Sequence, residues 1–144
     1  MATFTHLAEW LRMGQFINQD YHQRVSGPTF RSDHAMFGEF YDALGHEYDG
    51  LIEHLLGLGL RVKPAEVTAQ AGEIALDFAK RTDAREMASA VFQYENSLIR
   101  IINEILNEEN DDTEIEVTES LENRLQSMAQ ASDGRSYILR QRIA

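Results

Sequence analysis

The chain contains no cysteine. That excludes a disulfide framework, thiolate metal sites and a cysteine nucleophile, and it suits a reducing compartment. Lysine is almost absent, with Lys63 and Lys80 the only two. Thirteen basic residues face 24 acidic ones, for a net charge of −11. A surface of that sign repels phosphates and attracts cations, so nucleic acid is a poor first candidate as a partner. Long apolar runs are also missing. None approaches the roughly 20 residues of a membrane span, and the opening MATFTHLAEWLRMG has no apolar core of signal-peptide length. These absences lead us to expect a soluble, cytoplasmic protein. Its 144 residues, 43% of them hydrophobic, are enough for one domain over 1–144 with a core of ordinary size.

Proline is scarce too, and both copies mark joints. Pro28 lies in VSGPTF and Pro64 in LGLRVKPAE. Between the joints the pattern is helical. A first helix is expected over about 5–24, with Leu7, Trp10, Leu11, Phe16 and Ile17 apolar. A second is expected over about 32–58, capped by Ser32 or Asp33. Its Phe37, Tyr41, Leu44, Tyr48, Leu51, Leu55 and Leu58 alternate four and three residues apart. A connector with a short helix runs from Pro64 to Lys80, with Ala65, Val67, Ile74, Leu76 and Phe78 as its apolar members. A third long helix spans about 83–109 and a fourth about 117–142, where Asp133-Gly134 weakens the middle. No strand pattern competes. The fold class expected is all-α: a four-helix bundle with a short helix in the long connection between helices 2 and 3.

The second helix carries another stripe about 120° from its apolar one: His34, Gly38, Asp42, Gly45, Asp49, Glu53 and Leu56. Acids, small residues and a histidine in that spacing fit either a solvated acidic face or a face that meets a second partner. Asp49 and Glu53, four apart, project side by side. His34 lies about 22 Å from Asp49 along such a helix, beyond the reach of one ion. Two copies of the helix, antiparallel about a two-fold axis near Asp42 and Ala43, would bring His34 of one chain level with residues near 50 of the other. His22, at the end of the first helix, could join from the same side. Two carboxylates with neutral imidazoles form a site suited to Fe(II), with Mn or Zn possible. None of the five histidines has a Glu three positions before it, so an intrasubunit di-iron centre of Glu-x-x-His type is not expected.

The stretch YHQRVSGPTFRSDHAMFGEFYDALGHEYDGLIEHLLGLG resembles the signature of the Dps family, the ferritin-like DNA-protection proteins of starved cells. His22, Val25, Gly27, Pro28, Phe30, His34, Phe37, Tyr41, Asp49, Glu53, Leu58 and Gly59 fall in the family's order and gaps. TDAREMASAVFQYENSLIRIINEIL resembles its third helix and SLENRLQSMAQASDGRSYILR its fourth, with Tyr137 where the family often has Trp. The resemblance implies a ferritin-like bundle, a homo-oligomeric dodecamer built from two-fold dimers, and Fe(II) oxidation at intersubunit sites, typically with hydrogen peroxide, followed by ferric storage. The residues it implies for catalysis and metal binding are His22 and His34 of one chain with Asp49 and Glu53 of its neighbour.

The chain departs from the pattern at Gly38, where an Asp is expected, at Gln23 (Trp expected) and at His54 (a basic residue expected, which His54 could still supply as a cation). The second iron position thus loses a carboxylate, and a structural or DNA-protecting shell with a degenerate centre is the alternative. Strong DNA binding is not expected: the N-terminus lacks lysine, and Arg135, Arg140 and Arg142 read as a helix end complementing its dipole. Asp111, Asp112, Glu114, Glu116 and Glu119 fit either an iron-admitting pore or a solvated acidic loop.

Overall fold

Apolar residues at helical spacing, separated by Gly and Pro joints, fold into helices throughout the portion of the chain that the structure, a computed structural model, describes: residues 2–107 and 117–144. Those residues form five α-helices and no strand: α1 (Phe4–Arg24), α2 (Phe30–Gly57), α3 (Pro64–Phe78), α4 (Ala84–Leu106) and α5 (Glu119–Ile143). Three begin on side-chain caps. Thr3 accepts from the His6 amide at 3.0 Å, Asp83 from that of Glu86 at 3.1 Å and Thr118 from that of Leu121 at 3.3 Å. Pro64 opens α3 at a position whose amide would lack a partner anyway.

α2 begins earlier than the sequence suggested. Its cap position is Thr29, and Ser32 and Asp33, the two expected cap candidates, lie inside the first turn, where Arg142 of α5 holds Asp33 at 2.8 Å. α2 stops at Gly57, one residue before Leu58, on a left-handed Gly59 (φ +84°). The Gly59 amide donates to Leu56 O at 3.0 Å and the Leu60 amide to Leu55 O at 3.2 Å, the paired bonds of a Schellman ending.

α1 packs against α2, α3 and α4, α4 packs against α5, and α2 touches α5 more sparsely. The core is made where they meet: Leu7, Leu11 and Ile17 of α1, Phe37, Leu44 and Leu51 of α2, Val91 and Leu98 of α4, and Leu121, Leu125 and Leu139 of α5 are all buried. Tyr94 is buried as well. Its hydroxyl donates to Trp10 O at 2.7 Å, and its ring stacks on Trp10 and occupies the space a side chain at Gly14 would need.

Packing adds two details to the helices expected. α3 buries only Val67 and Ala71, whereas Ile74 and Leu76 are 37% and 68% exposed, because α3 lies against α1 along one narrow edge. α5 runs unbroken through Asp133-Gly134, since Ser132 and Arg135 on either side are buried and bonded to Glu95, contacts that outweigh weak local propensity. The acidic positions 111, 112, 114 and 116 lie outside the described residues, and Glu119 is exposed in the first turn of α5. Among the described residues no helix is long and apolar enough to cross a membrane.

Candidate functional site

The turn at 25–29 reverses the chain, so the last turn of α1 meets the first turns of α2. That places His22 and His34, twelve residues apart in sequence, face to face. Their rings stack with centroids 3.8 Å apart and planes 17° from parallel. Each ring bonds the other residue's backbone: His22 Nδ1 to His34 O, and His34 Nδ1 to His22 O, both at 2.7 Å. A carbonyl oxygen can only accept, so both Nδ1 atoms carry the hydrogen. In the neutral rings both Nε2 atoms therefore keep a free lone pair. This is the arrangement by which metal-ligating histidines are fixed in tautomer and orientation. Phe30 stacks on the outer face of His34 at 5.0 Å, completing a three-ring pile.

Gly38 is explained by the same geometry. A Cβ there would lie 2.9 Å from His22 Nδ1 and 3.0 Å from its Cε1, too close for the ring to stay where it is. Gly45 likewise admits a side chain of α1 further along the helix, where a Cβ would lie 2.9 Å from the Gln15 amide nitrogen. The small residues of the second α2 stripe thus face the chain's own α1.

Asp49 and Glu53 are exposed on α2, one turn apart. The fold does not bring them to the histidines within one chain. Among the described residues no three His, Asp or Glu side chains converge as a metal site would require. One chain therefore presents a pair of stacked imidazoles and a separate pair of exposed carboxylates, at different levels of α2.

A second cluster lies between α2, α4 and α5 and is largely buried. Arg135 of α5 bonds Glu95 of α4 through Nε, and its Nη1 donates to Glu47 of α2 at 2.9 Å. Ser132 Oγ donates to Glu95 at 3.2 Å. Burial pushes the Glu95 carboxyl up to about 7, against the pull of the Arg135 guanidinium. Burial raises Glu47 also. For Arg135 burial acts downward, but the two carboxylates outweigh it and hold it above the usual arginine range. The sequence pattern gave no sign of this trio, because each member stands alone on its helix.

Arg142 forms a third link. It donates to both oxygens of buried Asp33, at 2.8 and 3.1 Å, and Thr29 Oγ1 donates to Asp33 Oδ2 at 2.6 Å. Burial pushes Asp33 up, yet the bonds from Arg142 and Thr29 prevail and hold it below the ordinary aspartate value. Of the three C-terminal arginines, Arg135 and Arg142 are thus engaged inside the fold. Arg140 remains exposed, its guanidinium 5.9 Å from the centre of the Phe92 ring.

His54 Nδ1 accepts from Arg124 Nε at 2.9 Å, which requires that nitrogen to be unprotonated. The cation that the sequence allowed at His54 is supplied here by its neighbour Arg124. Comparison with protein-family models, with curated proteins and with solved structures finds no match to this chain.

Proposed function

We propose that the chain is the subunit of a Dps-like iron cage, oxidising Fe(II) at sites shared between two copies and storing the ferric product. In this reading α1, α2, α4 and α5 form the ferritin-like four-helix bundle, with α3 in the long connection, and two-fold dimers assemble into a dodecamer. The single observation that carries it is the reciprocal bonding of His22 and His34, which leaves two imidazole Nε2 atoms as acceptors next to one another. The carboxylates that would complete the site, Asp49 and Glu53, are exposed at another level of α2 and open to a second copy.

Fe(II) is the substrate. His22 Nε2 supplies a neutral ligand, and Asp49 and Glu53 of the neighbouring copy balance the charge of the ion and favour its ferric state. His34, braced between His22 and Phe30, positions the second iron or the oxidant. With hydrogen peroxide, two Fe(II) each give up one electron, the O–O bond takes both, and two protons complete two waters. Replacing both Asp49 and Glu53 by Ala abolishes Fe(II) oxidation above background while leaving each subunit folded. Oxidation at the wild-type rate in that variant refutes the assignment.

The second reading is a shell with a degenerate centre. The absence of a carboxylate at Gly38 favours it, since the His22 ring fills the space where that side chain would start. Fe(II) titration separates the two: a stoichiometry of zero at the two-fold interface supports the shell. Coating of DNA is weaker on charge, because Arg135 and Arg142 are spent on internal carboxylates. A gel shift that persists at physiological salt would reverse that order.

A further inference from the structure

α2 and α5 run antiparallel, joined by His54 to Arg124 near one end and by Glu47 to Arg135 further along. An open groove of about 550 Å³ lies between the two helices. Arg124, Ser127, Met128 and Ala131 line it from one face of α5, with Ser120 and Asn123 nearer the start of that helix.

Two features seat Arg124 in this groove. Its Nε donates to His54 Nδ1 at 2.9 Å, and His54 Nε2, which then carries the ring hydrogen, donates to Ser120 Oγ at 3.3 Å. The guanidinium is thus held by a neutral ring, and it pairs with no carboxylate among the described residues, in a chain with 24 acidic residues. The second feature is Gly50. A Cβ there would lie 2.5 Å from Arg124 Nη1, so Nη1 occupies the notch that the glycine leaves in α2. Glycine inside a helix costs about 1 kcal/mol relative to alanine, and here the space it frees is taken by a guanidinium. Neither Nη atom of Arg124 bonds a described residue, and neither is shut away from solvent as Arg135 Nη2 is. With Nε spent on His54, the open edge of the guanidinium is the one between Nη1 and Nη2. That edge is a two-donor fork matching one planar carboxylate.

The surroundings select a monoanion with an apolar body. Among the described residues Arg124 is the only arginine or lysine that lines the groove. Arg135, past its far end, is spent on Glu95 and Glu47. A phosphate dianion would keep one charge unbalanced in the field of a chain carrying −11. Met128 and Ala131 stand four and seven residues along α5, about 6 and 10 Å from Arg124 along the axis. That span accommodates a short aliphatic chain. We propose that the α2–α5 groove binds a short aliphatic monocarboxylate, its carboxylate received by the Nη1–Nη2 edge of Arg124 and its methylenes laid along Met128 and Ala131. Asn123 and Ser127 border the same end and offer further donors to the carboxylate oxygens. Glu47 takes no part in binding, since it is engaged with Arg135. Gly50 and His54 each follow an Fe(II) carboxylate, Asp49 or Glu53, by one residue, about 100° round α2. The groove therefore opens on a neighbouring face, and the proposal does not rest on iron chemistry.

The test is isothermal titration of the full chain, without iron, at a pH of about 8, where carboxylate probes are ionised. Hexanoate should bind saturably, once per chain, and at least about tenfold tighter than hexan-1-ol, hexylammonium, acetate or inorganic phosphate. The carbon-13 signal of the Met128 methyl should move with the same midpoint. Arg124→Gln should bring hexanoate down to the level of hexan-1-ol. Gly50→Ala, which favours the helix and crowds Nη1, should weaken hexanoate several-fold and leave hexan-1-ol unchanged. The probe comparison and the Met128 signal on unaltered protein decide the matter even where a variant fails to fold. No saturable binding of hexanoate, equal binding of hexan-1-ol or phosphate, an unmoved Met128 signal, or unchanged hexanoate affinity in both variants would each overturn the proposal.

Discussion

The start and the middle of α2 solve the same problem in opposite ways. Near its start, polar side chains between helices are neutral and held by backbone: His22 and His34 each spend one nitrogen on the other's carbonyl and leave one outward-acting lone pair. In its middle, polar side chains between helices are charged and held by one another: Glu47, Arg135 and Glu95 spend nearly everything inside the protein. The first arrangement orders the rings while leaving them available. The second cross-links α2, α4 and α5 and is correspondingly sensitive to the loss of any member. The first leaves lone pairs available, and the second is spent on cross-linking, with Glu47 Oε1 and Arg135 Nη2 its unpartnered buried atoms.

The comparison breaks most visibly under Arg135→Met. Leaving Glu95 and Glu47 buried without their cation should cost about 3–5 kcal/mol of unfolding free energy, measured by urea denaturation at pH 8. His22→Ala, which removes only neutral bonds at a half-buried place, should cost about 1 kcal/mol. Equal costs would erase the distinction between the two regions.

Next in size is a pH dependence. Glu95 is raised in the folded protein from 4.5 to about 7. The folded state therefore binds a proton that the unfolded state has released, and stability falls as pH rises through that window. The fall should amount to about 3 kcal/mol, and it is absent below the unfolded value. Glu95→Gln should flatten the curve of denaturation midpoint against pH between 5 and 8. Asp33 works in the opposite sense: its depressed carboxyl contributes stability above its unfolded value, lost as pH falls through the folded one. Arg142→Ala should remove that contribution and cost about 1–3 kcal/mol.

The smallest effect on stability sharpens the comparison most. Gly38→Ala should change unfolding free energy by no more than about 1 kcal/mol, because better helix propensity offsets the crowding. It should nevertheless displace the His22 ring, whose Nδ1 would lie 2.9 Å from the new methyl. Nitrogen NMR of the imidazoles would then lose the Nδ1–H signature at His22. A retained signature would mean that the ring has another place to sit.

Helix positions were legible in the sequence because apolar spacing reports burial directly. Leu44, Leu51, Val91 and Leu98 repeat at helical intervals and are all buried. The proximity of His22 and His34 was half legible. The Ser-Gly-Pro turn between them implies a reversal, but spacing cannot show that each ring would bond the other's carbonyl. The face of α2 that holds Gly38 and Gly45 was partly misjudged, because a small residue tells that something approaches and not which helix does. The Glu47–Arg135–Glu95 trio was illegible. Its members lie on three helices with no local periodicity, and only tertiary packing joins them. Arg142 was read as a helix-end charge because its partner, Asp33, is remote in sequence and resembles an N-cap.

The central claim is that a working site takes its histidines from one chain and its carboxylates from another. The direct measurement is Fe(II) oxidation by a co-assembled mixture of two inactive variants, His22→Ala/His34→Ala and Asp49→Ala/Glu53→Ala. Each alone should be at background. Random pairing makes about half the dimers mixed, and one of the two sites in each mixed dimer is intact, so the mixture should recover about a quarter of the wild-type rate. A mixture that stays at background, or a single variant that retains the full rate, would contradict the account.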